Sequence, residues 1–229
     1  MIVTWSPHTG ARTEAGPRAA SNYLMARSVR KTLDGQRVQI ARDPAPELLI
    51  GDPDASLVTL QALRSKHRYS VVTLSFAPED IDVGHFNAGD PILRAEISST
   101  LELFLEVAYS GLPPSARLRP LVCNHTHTGR LEINILMPRA ALRSDGCVLA
   151  YNPHPPGKGS RDLWDHFRDM VNHHFGWADP LAYERRRIIK APDWALQAER
   201  EKDRHPIDAP LEPPDRILEG CSTVWRPRH

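Results

Sequence analysis

Between Leu118 and Met137 the polarity of the chain changes twice. Leu118 to Cys123 is a short apolar-rich run, Thr126 to Gly129 is small and polar, and from Arg130 the positions alternate. Leu131, Ile133, Ile135 and Met137 fall on one side; Arg130, Glu132 and Asn134 fall on the other. Strict alternation is the pattern of a half-buried strand. A short polar link ending in glycine between two such runs predicts a hairpin connection. Glu132 and Asn134 then project from one face, and His125, at the end of the neighbouring strand, leans over it. A histidine, a carboxylate and an amide oxygen converging there form a candidate divalent-metal site. The polar outer face of an ordinary antiparallel sheet has the same pattern, and spacing alone does not separate the two.

The rest of the chain supplies the elements around this hairpin. Met1 to Trp5 reads as a strand, and Ser6 to Pro17 as a Gly/Pro/Thr/Ser loop that matches no P-loop. Pro17 suits the first turn of a short helix running to Arg27 and carrying Tyr23. Gly35 to Arg42 reads as a strand; Asp43 to Ile50 and Asp54 to Lys66 read as helical, the second capped by Asp54. Tyr69 to Phe76 is β-branched and apolar, without Gly or Pro, and predicts a strand. Pro91 to Tyr109 has apolar residues three or four apart and predicts a helix. Pro138 to Gly146 reads as a basic loop, Cys147 to Tyr151 as a short strand, and Asn152 to Gly159 as irregular chain. Asp162 to Phe175 reads as a helix with Leu163, Phe167, Met170 and Val171 inward and Gly176 as its C-cap. From Leu181 the chain is charged, and Pro206 to Pro214 is proline-rich and extended. The division expected is a domain over 1–190 and a charged, proline-rich extension or linker over 191–229.

Composition narrows the class. No apolar run approaches the roughly 20 residues of a membrane span, so no membrane insertion is expected, and the cytoplasm is the default compartment. Cys123, Cys147 and Cys221 are odd in number and scattered, against a disulfide framework or a structural zinc cluster. The net charge of +1 is uninformative, but its distribution is not. Arg12 to Arg42 holds seven Lys/Arg against Glu14 and Asp34, and Ala116 to Arg143 holds five Arg against Glu132 alone. Basic blocks flanking the polar strand suit a phosphate backbone, although such blocks are also found on plain solvated faces.

Several segments, taken in order, carry a resemblance. Gly16-Pro17 is followed by Asn22-Tyr23-Leu24-Met25-Ala26-Arg27; Tyr69 to Glu79 contains Leu74-Ser75-Phe76. His125 lies seven residues before Glu132, with Asn134 two further on, and Val171 to Gly176 is followed by Asp179-Pro180. Over roughly Met1 to Arg187 the chain resembles the relaxases of small colicinogenic and related mobilisable plasmids. These are the branch of the HUH endonuclease superfamily whose metal motif is His-Glu-Asn.

The resemblance implies an α/β (α+β) fold: a central antiparallel sheet with helices packed on one face, and metal and DNA on the other. It implies site- and strand-specific nicking of single-stranded DNA at a transfer origin on supercoiled plasmid, with Tyr23 as nucleophile and a 5′-phosphotyrosyl intermediate. His125, Glu132 and Asn134 are the implied ligands of Mg²⁺ or Mn²⁺. Arg18, Arg27, Ser75 and Arg130 are the expected DNA contacts, with Glu79 and His127 as possible additions. His127 departs from the family pattern, which has no histidine there. Accessory mobilisation proteins and a coupling protein are the implied partners. Two alternatives stay open: a rolling-circle replication initiator, in which the tyrosine usually follows the metal motif, and a catalytically silent DNA-binding accessory protein.

Overall fold

In a computed structural model of the chain, residues 1–6, 15–33 and 35–185 are described. They begin with β1 (Ile2–Trp5), α1 (Ala15–Met25), β2 (Ser28–Leu33), β3 (Gln36–Ala41), β4 (Glu47–Ile50), α2 (Pro53–Ala62) and β5 (Tyr69–Ser75). Next come α3 (Val83–Asn87), α4 (Pro91–Ala108), β6 (Leu121–His125), β7 (Glu132–Pro138), β8 (Ala140–Leu142), β9 (Val148–Ala150) and α5 (Lys158–Phe175). Five strands form one antiparallel sheet in the order β1-β5-β7-β6-β4. The pairs β2-β3 and β8-β9 are separate ribbons. This is the α+β architecture with a central antiparallel sheet.

Alternation in β5 and β7 divides the sheet into two unlike faces. Val72 and Leu74 of β5 and Ile133, Ile135 and Met137 of β7 join Ile97, Leu101 and Phe104 of α4 and Trp164, Phe167 and Val171 of α5 in the larger core. The opposite face is covered only in part. Leu24 of α1 and Leu60 of α2 pack on Tyr69, Leu121, Cys123 and Leu136 in a smaller cluster. The principal helical layer thus lies on one face, while α1 and α2 cap part of the other and leave its polar rows open.

The helix ends follow the capping rules. Asp90 accepts from the amides of Ile92 and Leu93 at the start of α4, and Gly176 ends α5 at φ 69°. Other expectations are corrected. Asp43–Ile50 holds no helix: its prolines at 44 and 46 leave Glu47–Ile50 as an edge strand on β6. The cap of α2 is Asp52, not Asp54, because Asp52 Oδ1 accepts from the Ala55 amide at 2.7 Å. Ser28–Leu33 and Ala140–Leu142 are strands that short, mixed polarity concealed. α5 begins at Lys158, and its apolar stripe runs through Trp164, Phe167 and Val171, leaving Leu163 and Met170 exposed. The loop residues 7–14 and the expected extension, 191–229, lie outside the described residues.

Candidate active site

The hairpin of β6 and β7 sets the site by register. His125 pairs with Glu132 and Cys123 with Asn134, while β5 on the other side sets Ser75 against Glu132 and Thr73 against Asn134. Cross-strand partners project to the same face. His125, Glu132, Asn134, Thr73 and Ser75 therefore share the open face, and Thr4 of β1 continues the row beside Thr73. They line a cavity of about 530 Å³ together with Tyr23, Tyr69 and Arg130.

A chain of hydrogen bonds fixes the centre. The Leu24 carbonyl can only accept, so Nε2 of His125, 2.8 Å away, carries the ring proton and donates it. Nδ1 then keeps its lone pair and accepts from Asn134 Nδ2 at 3.2 Å. The Thr73 hydroxyl donates to Asn134 Oδ1 at 2.9 Å. His125 is only 3% exposed. Burial lowers its pKa, the Leu24 bond opposes this, and the Arg42 and His127 charges add to the lowering. The Glu132 charge opposes it too, and the net lowering favours the neutral ring that a ligand must be.

The donor set suits a hard divalent ion. Among the described residues no three His, Cys, Asp or Glu side chains gather as a metal cluster, so a trio here depends on an amide as third donor. If the Asn134 amide turns over, its Oδ1 comes beside His125 Nδ1, and two lone pairs face one position. Thr73 can tolerate that turn, because a hydroxyl that donated to Oδ1 can instead accept from Nδ2. Glu132 adds the one formal charge, and one of its oxygens is held by Arg130, at 2.5 Å from Nη2 and 2.9 Å from Nε.

Tyr23 stands above this face near the end of α1 and is 59% exposed. The guanidinium of Arg42 lies 4.7 Å from its ring centroid, and Arg42 Nη1 donates to the carbonyls of Tyr23 and Ala26 at 2.7 and 3.1 Å. The other tyrosines near the sheet are tied down. Tyr69 is buried and donates to the Gly16 carbonyl at 3.3 Å, and burial raises its pKa. Tyr151 donates to the Ala108 carbonyl, and burial raises its pKa too.

The structure brings Tyr23, His125, Glu132, Asn134, Ser75 and Arg130 to one cavity. His127 is close by, its ring centroid 5.7 Å from that of His125. Arg18 and Arg27 are exposed, on α1 and just after it, and do not line the cavity. Glu79 is also outside, its carboxylate paired with Arg185. Sequence reasoning missed Thr4, Thr73 and Arg42. A β5 read as alternating in register with Glu132 and Asn134 points to Thr73; nothing local marks Arg42, whose place depends on β3 returning beside α1.

An exposed helical tyrosine over a row of one imidazole, one carboxylate and one amide is an arrangement that metal-assisted phosphoryl transfer can use. Comparison with known proteins finds a relative among the DNA relaxases. The chain is 26% identical over 183 residues to the DNA relaxase MbeA of Escherichia coli, covering 80% of this chain. The chain spans 30% of that relative's length. The expected resemblance to a plasmid mobilisation relaxase is thus found over four-fifths of the sequence. No protein-family model matches the chain. In shape it is similar to the conjugative relaxase TrwC in complex with oriT DNA, in metal-free and metal-bound structures. These align at TM-scores of 0.45 and 0.46, with 15% and 14% identity, over 76% of this chain and 69% of theirs. A third TrwC structure, with a 27-mer holding the recognition hairpin and cleavage site, aligns at a TM-score of 0.45 and 14% identity over 96% of this chain and 87% of its own.

Proposed function

We propose that the chain is the nicking unit of a plasmid relaxase, cutting one DNA strand at a transfer origin by transesterification through Tyr23. One observation carries this reading: Tyr23 and the trio His125, Glu132 and Asn134 line the same open cavity. The Tyr23 phenolic oxygen forms a bond to the scissile phosphorus while the bond from phosphorus to the 3′ oxygen breaks. The phenol gives up its proton, the 3′ oxygen gains one, and the 5′ phosphate is left on the tyrosine. One phosphodiester replaces another, so the step is reversible and can rejoin ends.

His125, Glu132 and Asn134 would hold a divalent ion, Mg²⁺ or Mn²⁺. Such an ion supplies Lewis-acid polarisation of the phosphate oxygens and stabilises charge in the transition state. The remaining work falls to the chain. His125 presents Nδ1 because Leu24 holds its other nitrogen, and Arg130 at the cavity rim offers a guanidinium to the backbone phosphate. Arg18 and Arg27 extend the basic surface beyond the cavity for the flanking strand. The partners under this reading are single-stranded and supercoiled plasmid DNA at a transfer origin, accessory mobilisation proteins and a coupling protein. The setting is the cytoplasm, where the plasmid resides. No helix among the described residues is long and apolar enough to cross a membrane.

A nicking assay on supercoiled plasmid with its cognate transfer origin tests the reading. Nicking that needs a divalent ion and leaves protein on the 5′ end is expected. Binding without nicking would make the chain an accessory protein, and nicking confined to a replication origin would make it an initiator.

A further inference from the structure

Arg42 is a buried cation beside the proposed nucleophile. The residue is 4% exposed, and its hydrogen-bond acceptors among the described residues are carbonyls, not carboxylates. Nη1 takes the carbonyls of Tyr23 and Ala26, His125 Nε2 lies 3.5 Å from it, and the guanidinium packs on the Tyr23 ring. The Nε–H is buried and meets no hydrogen-bond partner among the described residues. A buried cation with no carboxylate partner among the described residues costs free energy, and such a charge suits a place where negative charge will develop.

Capping a helix end alone does not need arginine: a lysine also donates to carbonyls and complements the helix dipole. A planar cation against an aromatic face is a guanidinium's particular contribution. Two contacts therefore meet in one side chain. The hydrogen bonds fix where α1 ends, and the stacking fixes where the Tyr23 ring lies over the His125 face.

We propose that Arg42 is a positioning residue for the nucleophile, seating the Tyr23 ring over the metal-binding face and attracting the negative charge that the ring gains as its phenol loses a proton in the attack. This rests on the nicking activity proposed above.

The test uses the full chain and a single-stranded oligonucleotide spanning the cleavage site of the cognate transfer origin. Single-turnover formation of the covalent adduct is compared with equilibrium binding. Arg42→Met is expected to slow adduct formation about 100-fold, the scale of a misplaced reacting group, while binding changes less than about threefold. Arg42→Lys keeps a cation and a donor, so it is expected to restore thermal stability while adduct formation stays about tenfold slow. With 3-fluorotyrosine incorporated, the ¹⁹F resonance that Tyr23→Phe removes is expected to move in both variants while the other tyrosine resonances hold their positions. Should Arg42→Met fail to fold, Arg42→Lys carries the same test. Wild-type adduct rates in the folded variants, or an unmoved Tyr23 resonance, overturn the proposal and leave the nicking activity standing. Failure of the wild-type chain itself to form any adduct overturns the nicking activity and the proposal with it.

Discussion

Nε2 of His125 donates to the Leu24 carbonyl across 2.8 Å, so the candidate metal ligand and the helix end that carries Tyr23 are joined by one hydrogen bond. The bond has two effects. It selects the tautomer that leaves Nδ1 for a metal, and it satisfies a carbonyl that the end of α1 leaves open. His125→Ala is therefore expected to lose more than metal. The apoprotein should be destabilised by about 2 kcal/mol, because a buried carbonyl loses its stronger donor and keeps only the weakly donating Cys123 thiol at 3.5 Å, with a fall in melting temperature of about 4–8 °C. Thermal unfolding in chelator, followed by calorimetric titration with Mn²⁺, measures both. An apoprotein melting like wild type would show that the link contributes nothing.

Tyr23 and Tyr69 both line the cavity and have opposite expected behaviour. Tyr23→Phe is expected to abolish the covalent adduct and retain oligonucleotide binding, since the exposed ring stays and only the proposed attacking oxygen goes. Tyr69→Phe removes a buried hydroxyl bonded to the Gly16 carbonyl. It should cost about 1 kcal/mol of stability and leave the adduct in place. Denaturing gel electrophoresis of protein with labelled oligonucleotide reads the adduct directly. An adduct formed by Tyr23→Phe would move the nucleophile elsewhere.

The contrast between these tyrosines shows what the sequence could reveal. Alternation in β7 gave Glu132 and Asn134 one face, and the hairpin placed His125 beside them; both arise from local periodicity, and both are seen in the register. The long helices α4 and α5 were legible for the same reason, because their stripes repeat over many turns. Arg42, Thr73 and the edge strand β4 were not legible. Their partners lie far off in sequence: Arg42 meets Tyr23 only because β3 returns to α1, and Glu47–Ile50 is extended because β6 offers it an edge. Pairings of that kind are tertiary, and propensity over four residues cannot specify them.

Arg130 and Glu132 form a contact with two roles in prospect. The guanidinium holds a carboxylate oxygen that an ion would use. Arg130 is more than half exposed, so the pair adds little to stability, less than about 1 kcal/mol. Arg130→Ala is thus expected to melt like wild type and to bind Mn²⁺ about threefold to tenfold more tightly. The same change should weaken oligonucleotide binding and lower its salt dependence by about one phosphate contact. Glu132→Ala should do the reverse for the ion and nearly abolish its binding. Unchanged Mn²⁺ affinity in Glu132→Ala would remove that carboxylate from the site.

Thr73 has no place in the candidate metal trio, yet its hydroxyl supports Asn134 in either orientation of the amide. It donates to Oδ1 at 2.9 Å in the arrangement seen and can accept from Nδ2 once the amide presents oxygen to an ion. Thr73→Val nearly conserves volume and suits a strand, so β5 should remain paired between β1 and β7. What changes is the support: the amide loses its partner in both orientations. Metal affinity is expected to fall about 10- to 100-fold, the usual effect of losing a hydrogen bond behind a ligand. Thr73→Ser, which keeps the hydroxyl, should bind close to the wild-type level. Calorimetry with Mn²⁺ on both variants separates the hydroxyl from the strand, and equal affinity in Thr73→Val would mean that Asn134 is held for the ion by something other than Thr73.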